Sequence, residues 1–295
     1  MCTQASSAVG TTLITAVMLF LPRGEAAAKK GLKKAAWQPL CKASEELAQL
    51  PSEINGKAQK ALETTASLTK DGLRFAIYSA AAPAEEDSTA IAILGAYFTT
   101  QGLQIAQTAK ETTIKNAIQT TQDAAYVKGR LDEFLKLAVQ VRDGTDDGCL
   151  IESGTNANAH TSGSIGSVSC KLTTIPLATD HRSDPTITPS GFSGLRDPAA
   201  DGRSHQETTP DCRLMSGDNT NGLGDNANTA AAVTHIDGYI TAAADGTTEV
   251  TLADARTKNK LDAQANKAWH DLLTSLELKV SSEEIGYTNN SVSLR

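Results

Sequence analysis

The sequence predicts a mainly α-helical protein: a long antiparallel helical hairpin, rod-like and coiled-coil-like in its spacing, with a third helix and a loop-rich lobe stapled by disulfides. Three observations predict it. Apolar and small residues recur three or four apart over two stretches of about 50 residues, with a break at Ala82-Pro83-Ala84 between them. The helical period disappears from Asp143 to Gly246, where Gly, Ser, Thr, Asn, Asp and Pro dominate. Four cysteines bridge these regions by their positions, Cys41 in the first stretch and Cys149, Cys170 and Cys212 in the loop-rich part.

At the N-terminus, Thr11 to Leu21 is an apolar run of signal-peptide length, ended by Pro22. Gly24-Glu25-Ala26 offers small residues where a signal peptidase reads. Residues 1–26 are therefore expected to be a signal peptide cleaved after Ala26, and the mature chain, 27–295, to be extracytoplasmic. Beyond this segment no apolar run reaches the ~18 residues a membrane span requires.

The first helix is read from Gly31 through Trp37, Leu40, Ser44, Leu47, Ile54, Ala58, Ala61, Thr65, Leu68 and Gly72 to Phe75. Pro83 disfavours helix at Ala82, so the break is a turn and the next helix runs back antiparallel. The second stripe is Ile91, Leu94, Phe98, Ile105, Thr108, Ile114, Ile118, Ala125, Leu131, Leu135, Ala138 and Val141. A helix of about 50 residues is roughly 75 Å long at 1.5 Å per residue, which makes a spacer and a poor pocket. Aromatic residues make up only 4% of the chain, so packing through small residues is expected in place of a thick aromatic core.

Cys2 leaves with the signal, and four cysteines in a secreted chain imply two disulfides with three possible connectivities. Whatever the pairing, at least one bridge ties the first helix to the loops. No CxxC or HxxxH spacing supports zinc. Within the loops, short β-prone pieces are read at Lys171 to Ile175 and Thr186 to Thr188. From Thr251 to Val280 the helical period returns, giving the third helix, with Trp37 and Trp269 as anchors for its contact with the hairpin.

The chemistry-bearing patterns read as structural. Gly222-Leu-Gly224-Asp-Asn-Ala227 matches a dinucleotide fingerprint by letter, but a polar turn precedes it where a strand is required. His160, His181, His205, His235 and His270 are scattered without partners at metal spacing. Asp146-Asp147 and Glu85-Glu86-Asp87 lack EF-hand spacing and read as solvated charge. No catalytic, cofactor-binding or metal-binding residue is assigned, and no cofactor is expected. The net charge of −7, with Lys and Arg dispersed, argues against a nucleic-acid partner. Asn289-Asn290-Ser291 is an N-glycosylation sequon, which makes Asn289 the candidate glycosylation site.

Several segments in order resemble one family. They are Ala35-Ala-Trp-Gln-Pro-Leu-Cys41 with Ser44-Glu-Glu-Leu47, then Tyr126-Val-Lys-Gly-Arg-Leu-Asp-Glu-Phe134, Ser153-Gly-Thr-Asn156, Gly166 to Leu172, and Asp211-Cys-Arg-Leu214 through Ser216-Gly-Asp-Asn-Thr-Asn-Gly-Leu-Gly224. Together they are similar to the A-type N-terminal domain of trypanosome variant surface glycoproteins, over about Ala27 to Ser275. The resemblance implies a homodimer of elongated protomers packed among neighbouring coat proteins and attached through a glycosylphosphatidylinositol (GPI) anchor at the plasma membrane. It implies a non-catalytic role, shielding the cell and evading host antibodies by antigenic variation. It also implies the pairing Cys41–Cys170 and Cys149–Cys212. After about Leu276 the sequence departs from the family pattern, and the cysteine-rich C-terminal domain and hydrophobic anchor signal are expected to be absent from this chain. The alternative within the same fold is a receptor for a host serum protein, like the family's transferrin receptor.

Overall fold

The structure is a computed structural model that describes residues 29–81, 87–143, 147–153, 156–157 and 160–278. The signal segment, the Ala82-Pro83-Ala84 break and Asn289 lie outside these residues. Helix α1, Lys34–Ala81, is 48 residues long, about 72 Å at 1.5 Å per residue. It packs antiparallel against a second arm made of α2, Ser88–Thr108, a π-helical turn, Ala109–Thr113, and α3, Ile114–Gln140. Asp87 starts this arm as its N-cap, its carboxylate accepting the Ala90 amide at 3.0 Å. One of the three acids read as solvated charge is therefore a cap.

The two arms meet through small residues. A Cβ placed on Gly72 would lie 2.8 Å from the Thr99 amide nitrogen and 2.9 Å from the Gly95 carbonyl. One on Gly95 would lie 3.0 Å from the Gly72 carbonyl. Phe75 and Phe98 stack beside this contact with ring centroids 5.4 Å apart. Close approach selects what faces inward. Along the second arm Gly95, Gly102, Ile105, Ala109, Thr113, Thr120 and Ala124 are buried. Leu94, Ile114 and Ile118, read above as stripe residues, are 45%, 42% and 63% exposed, and Thr108 and Ala125 are exposed as well. The correction has a geometric cause. Leu94 and Thr108 precede the π-turn and face outward because the arms meet on the side of Gly95 and Gly102. Beyond it the π-turn fits an extra residue into the arm, so a stripe counted at constant α-helical period slips out of phase at Ile114, Ile118 and Ala125.

The first helix begins at Lys34 rather than Gly31. Lys30–Leu32 is a strand in a four-stranded sheet, antiparallel to Gln206–Asp211, which pairs in parallel with Asp147–Gly148, itself antiparallel to Arg142–Asp143. Gly31 permits this, because a Cβ there would run into the Ile151 side chain at 2.7–2.8 Å.

The third helix is also shorter than its periodicity implies: α4 spans only Lys267–Leu276. Thr251–Leu252 is the edge of a three-stranded meander with Val233–His235 and Ile240–Ala242. The Asp262 carboxylate accepts the Gln264 and Ala265 amides at 2.8 and 2.7 Å and fixes a turn. Leu252, Ala255 and Leu261 are buried all the same, as single pins from a strand, a turn and a bend. Of the two β-prone pieces, Ile187–Thr188 pairs with Gly191–Phe192, whereas Lys171 to Ile175 forms no strand.

One core joins these parts at the head of the rod. Trp37, Leu40, Leu47, Leu50, Leu131 and Leu135 from the arms meet Leu150, Ile165, Phe192, Tyr239 and Trp269 from the lobe. The two tryptophans anchor separate contacts. Trp37 donates its indole N–H to the Ile151 carbonyl at 2.9 Å, tying α1 to the lobe. Trp269 donates to the Ile236 carbonyl at 2.8 Å and packs its ring on Phe192 and Tyr239. The helix α4 itself lies on α3, where the Thr120 hydroxyl donates to the Ser275 carbonyl at 2.9 Å.

Candidate functional site

The lobe is fastened to the rod at several points, beginning with its cysteines. Cys41 is bonded to Cys170 across a sequence separation of 129, joining α1 to the end of the meander His160–Thr161, Ser164–Ile165 and Val168–Ser169. Cys149 is bonded to Cys212 across 63 residues, inside the four-stranded sheet. All four are buried.

From Cys170 the chain runs as a strap down α1. Residues 173–181 are exposed, among them Leu177 at 65%, yet the backbone is pinned. The Ala178 amide donates to Ser52 Oγ at 3.0 Å, and the Asn55 side chain donates to the Ala178 carbonyl at 2.9 Å. Arg182 then inserts against the helix, 6% exposed, donating to Glu46 and to Glu53 at 2.7 Å each and to the Ile187 carbonyl at 3.0 Å. Burial alone would raise the Glu53 carboxyl. The hydrogen bonds and charges of Arg182 and Lys57 prevail and hold it below the usual carboxylate range. Glu46 also accepts the amide and hydroxyl of Thr186 and the amide of Ile187. The rod carries a second polar tie: Lys128 donates to Asp132 at 2.6 Å and to Ser44 Oγ at 3.0 Å. Sequence reasoning missed these residues. The available signals were the seven-residue spacing of Glu46 and Glu53, which puts both on one helix face, and the polar Ser44 within an apolar stripe.

The glycine-rich segment at 216–224 folds upon itself. Cβ atoms on Gly222 and Gly224 would meet the carbonyls of Asp218 and Gly217 at 2.6 and 2.9 Å, so the glycines serve the knot's own closure. At its centre Asp218 accepts Lys29 Nζ at 2.9 Å and the amides of Thr220 and Asn221 at 2.7 and 3.3 Å. The hydrogen bond from the Lys29 ammonium and these amides hold its carboxyl down at about 2.

The remaining candidates for chemistry stay apart. His181 lies in the exposed strap, His270 on α4, and His160 contributes backbone to a strand. His235 donates its Nε2–H to the Leu214 carbonyl at 2.8 Å, and its ring packs on Phe134. His205 is buried beside Arg196. Among the described residues no group of three or more His, Cys, Asp or Glu is placed to hold a metal ion. A recess of about 210 Å³ between α3 and α4 is lined by Asp123, Tyr126, Asp237, Lys267, Ala268 and Asp271. Its charges are engaged internally: Lys267 pairs with Asp271, and Asp237 accepts the Ala268 amide at 2.6 Å. Asp147 contributes backbone to its strand, and Asp146 lies outside the described residues. No helix among the described residues is long and apolar enough to cross a membrane.

What this leaves is a rigid rod, a pinned lobe and a surface of exposed loops. The family model for trypanosome variant surface glycoprotein (A-type) matches residues 12–294. The chain belongs to this variant surface glycoprotein family. Variant surface glycoprotein MITAT 1.2 of Trypanosoma brucei brucei is 30% identical over 271 residues, covering 92% of this chain and 57% of that protein. Variant surface glycoprotein MITAT 1.1 of the same organism is 25% identical over 283 residues, covering 94% of this chain and again 57% of the relative. The chain thus spans little more than half the length of these curated relatives. The solved structure of MITat 1.1 superposes with a TM-score of 0.81 at 24% identity, over 90% of this chain and 73% of that one, and shows the same fold. The variant surface glycoprotein family is one of surface coat proteins rather than enzymes.

Proposed function

We propose that this variant surface glycoprotein chain is the rod-and-head part of a coat protein that shields the cell and presents exchangeable loops to host antibodies. The observation that carries the reading is a division of labour along the chain. The arms and head core hold the fold through buried side chains, two disulfides and the Arg182 and Lys128 ties. The strap at 173–181 and the turns at 219–221 and 225–228 meet solvent. Exposed loops tolerate substitution because few core contacts depend on them, so antigenic surface can change while the scaffold persists. The role asks for no catalysis and no cofactor.

The lower rod supports homodimerisation as part of this reading. Leu73, Ile77, Ile93, Tyr97 and Leu103 are 56–69% exposed on the hairpin, and apolar surface of that extent on a rod is suited to a second copy. Cleavage after Ala26, glycosylation at Asn289 and attachment through a GPI lipid anchor complete the proposal for a protein at the outer face of the plasma membrane.

The test is loop exchange. Antibodies raised on the native protein should lose binding when residues 173–181 and 219–228 are replaced by those of another family member, with the helical content unchanged. Antibodies that bound the exchanged protein as well as the original would reject the assignment of these loops as the antigenic surface.

A further inference from the structure

We propose that His205 is an acid-sensitive latch that holds the N-terminal strand and the start of α1 against the lobe only while its imidazole is neutral. His205 is 1% exposed and sits where three parts of the chain converge. Its carbonyl accepts the Lys33 amide at 3.0 Å, at the first turn of α1. The neighbouring Gln206 donates to the Lys30 carbonyl at 2.6 Å and accepts the Val250 amide at 2.9 Å. His205 and Gln206 therefore clasp the N-terminal strand, α1 and the segment at 249–250 together.

The imidazole is held by groups that fit one protonation state. Arg196 donates its Nε–H to His205 Nδ1 at 3.1 Å, so Nδ1 is an acceptor and carries no proton. The Pro198 carbonyl also lies near the ring and favours its protonated form, against Arg196. The guanidinium cannot yield its own proton, and it is fixed by Asp201 at 2.6 Å and the Ser204 carbonyl at 3.3 Å. A second proton on His205 would set two N–H donors and two cations against each other in a buried place. Lys33, whose Nζ donates to Ser204 Oγ at 3.1 Å, adds positive charge from the residue just before α1. The Pro198 carbonyl and the Glu249 carboxylate oppose the effect, and Asp201, paired with Arg196, also feels the ring's charge, but burial and the two cations outweigh them and the His205 pKa lies below the ordinary histidine value. A histidine depressed in the folded state binds its proton more readily when the latch is open, so closure weakens as pH falls below about 6.5.

Hydrogen exchange on the full chain with both bridges intact tests this. The readout is the protection of the Leu32, Lys33 and Val250 amides at pH 7.5 and pH 5, corrected for intrinsic rates. Protection of these three amides should fall several-fold at pH 5, with a ceiling of about 30-fold set by the ordinary histidine pKa of about 6.5. His205→Asn keeps an acceptor for Arg196 and cannot take a proton, so its protection should be the same at both pH values. His235→Asn should leave the fall in place. Protection in the wild type that did not change with pH, or a fall of equal size in His205→Asn, would overturn the proposal. If that variant does not fold, imidazole nitrogen NMR of the wild type decides. Protonation of His205 should track the loss of protection, and protonation without that loss would also overturn it.

Discussion

The backbone contact between the arms makes a sharp prediction about one substitution at two glycines. Alanine is favoured over glycine inside a helix by about 1 kcal/mol. Gly129, in α3, has nothing within 4 Å of the position a Cβ would take, so Gly129→Ala should stabilise the protein by roughly 0.5–1 kcal/mol. Gly72→Ala gains the same helix preference. Its Cβ, however, would meet the Thr99 amide nitrogen at 2.8 Å and the Gly95 carbonyl at 2.9 Å, backbone atoms that cannot rotate away. The arms must separate, and overpacking of this kind costs about 1–3 kcal/mol or more. The net change at Gly72 should be a loss of roughly 1–2 kcal/mol, leaving the two variants about 1.5–3 kcal/mol apart with opposite sign. Guanidinium unfolding with the disulfides intact, followed by far-ultraviolet circular dichroism, measures both. If Gly72→Ala stabilised as much as Gly129→Ala, the arms would not touch through their backbones and the packing argument would fail.

Other perturbations follow from the lobe. Replacing Cys41 and Cys170 together by alanine should cost about 4–5 kcal/mol, and replacing Cys149 and Cys212 somewhat less. The denatured loop released is longer in the first case, 129 against 63 residues, and a reversed order in denaturant midpoints would contradict this. Arg182→Met should destabilise by about 3–5 kcal/mol, because it strands Glu46 and Glu53 against the helix; a change under 1 kcal/mol would mean the strap is held by its backbone alone. Acid should unfold the knot around Asp218. Its folded carboxyl, near 2, lies below the unfolded value, so its stabilisation is complete above about pH 4 and is lost as pH falls toward 2. Asp218→Asn should flatten the pH dependence of thermal unfolding in that window, and an unchanged slope would show that other carboxylates govern it.

The architecture was legible because long helices repeat their signal many times. Trp37, Leu40, Leu47, Ile54 and Leu68 all lie on the buried face read from spacing alone. Three features were hidden for physical reasons. The π-turn at Ala109–Thr113 leaves no compositional mark, so a constant period carried Ile114 and Ile118 to the wrong side. Between Thr251 and Asn266, sheet pairing and the Asp262 turn overrode a helical pattern that local propensity alone would have extended. The ties at Arg182, Lys128 and His205 join residues 84 to 172 positions apart, counting His205 to Lys33, and no local pattern encodes such partners. The candidate surface was visible in outline, since turn-forming residues marked the loops. Which loop residues are pinned and which are free emerged only from the strap's contacts with α1.

The π-turn also sets an angular relation between the two ends of the rod. Each residue of an α-helix turns the chain by about 100°, so the extra residue at Ala109–Thr113 acts as a fixed rotation between α2 and α3. It decides which compass direction the apolar residues of the hairpin face relative to the exposed loops of the head. Single-residue insertions or deletions in the second arm are therefore not equivalent to those in the loops: they would swing one end of the molecule about its long axis while leaving composition almost unchanged. In a densely packed array, where neighbours meet side by side, that azimuth determines which face of the head each molecule turns outward.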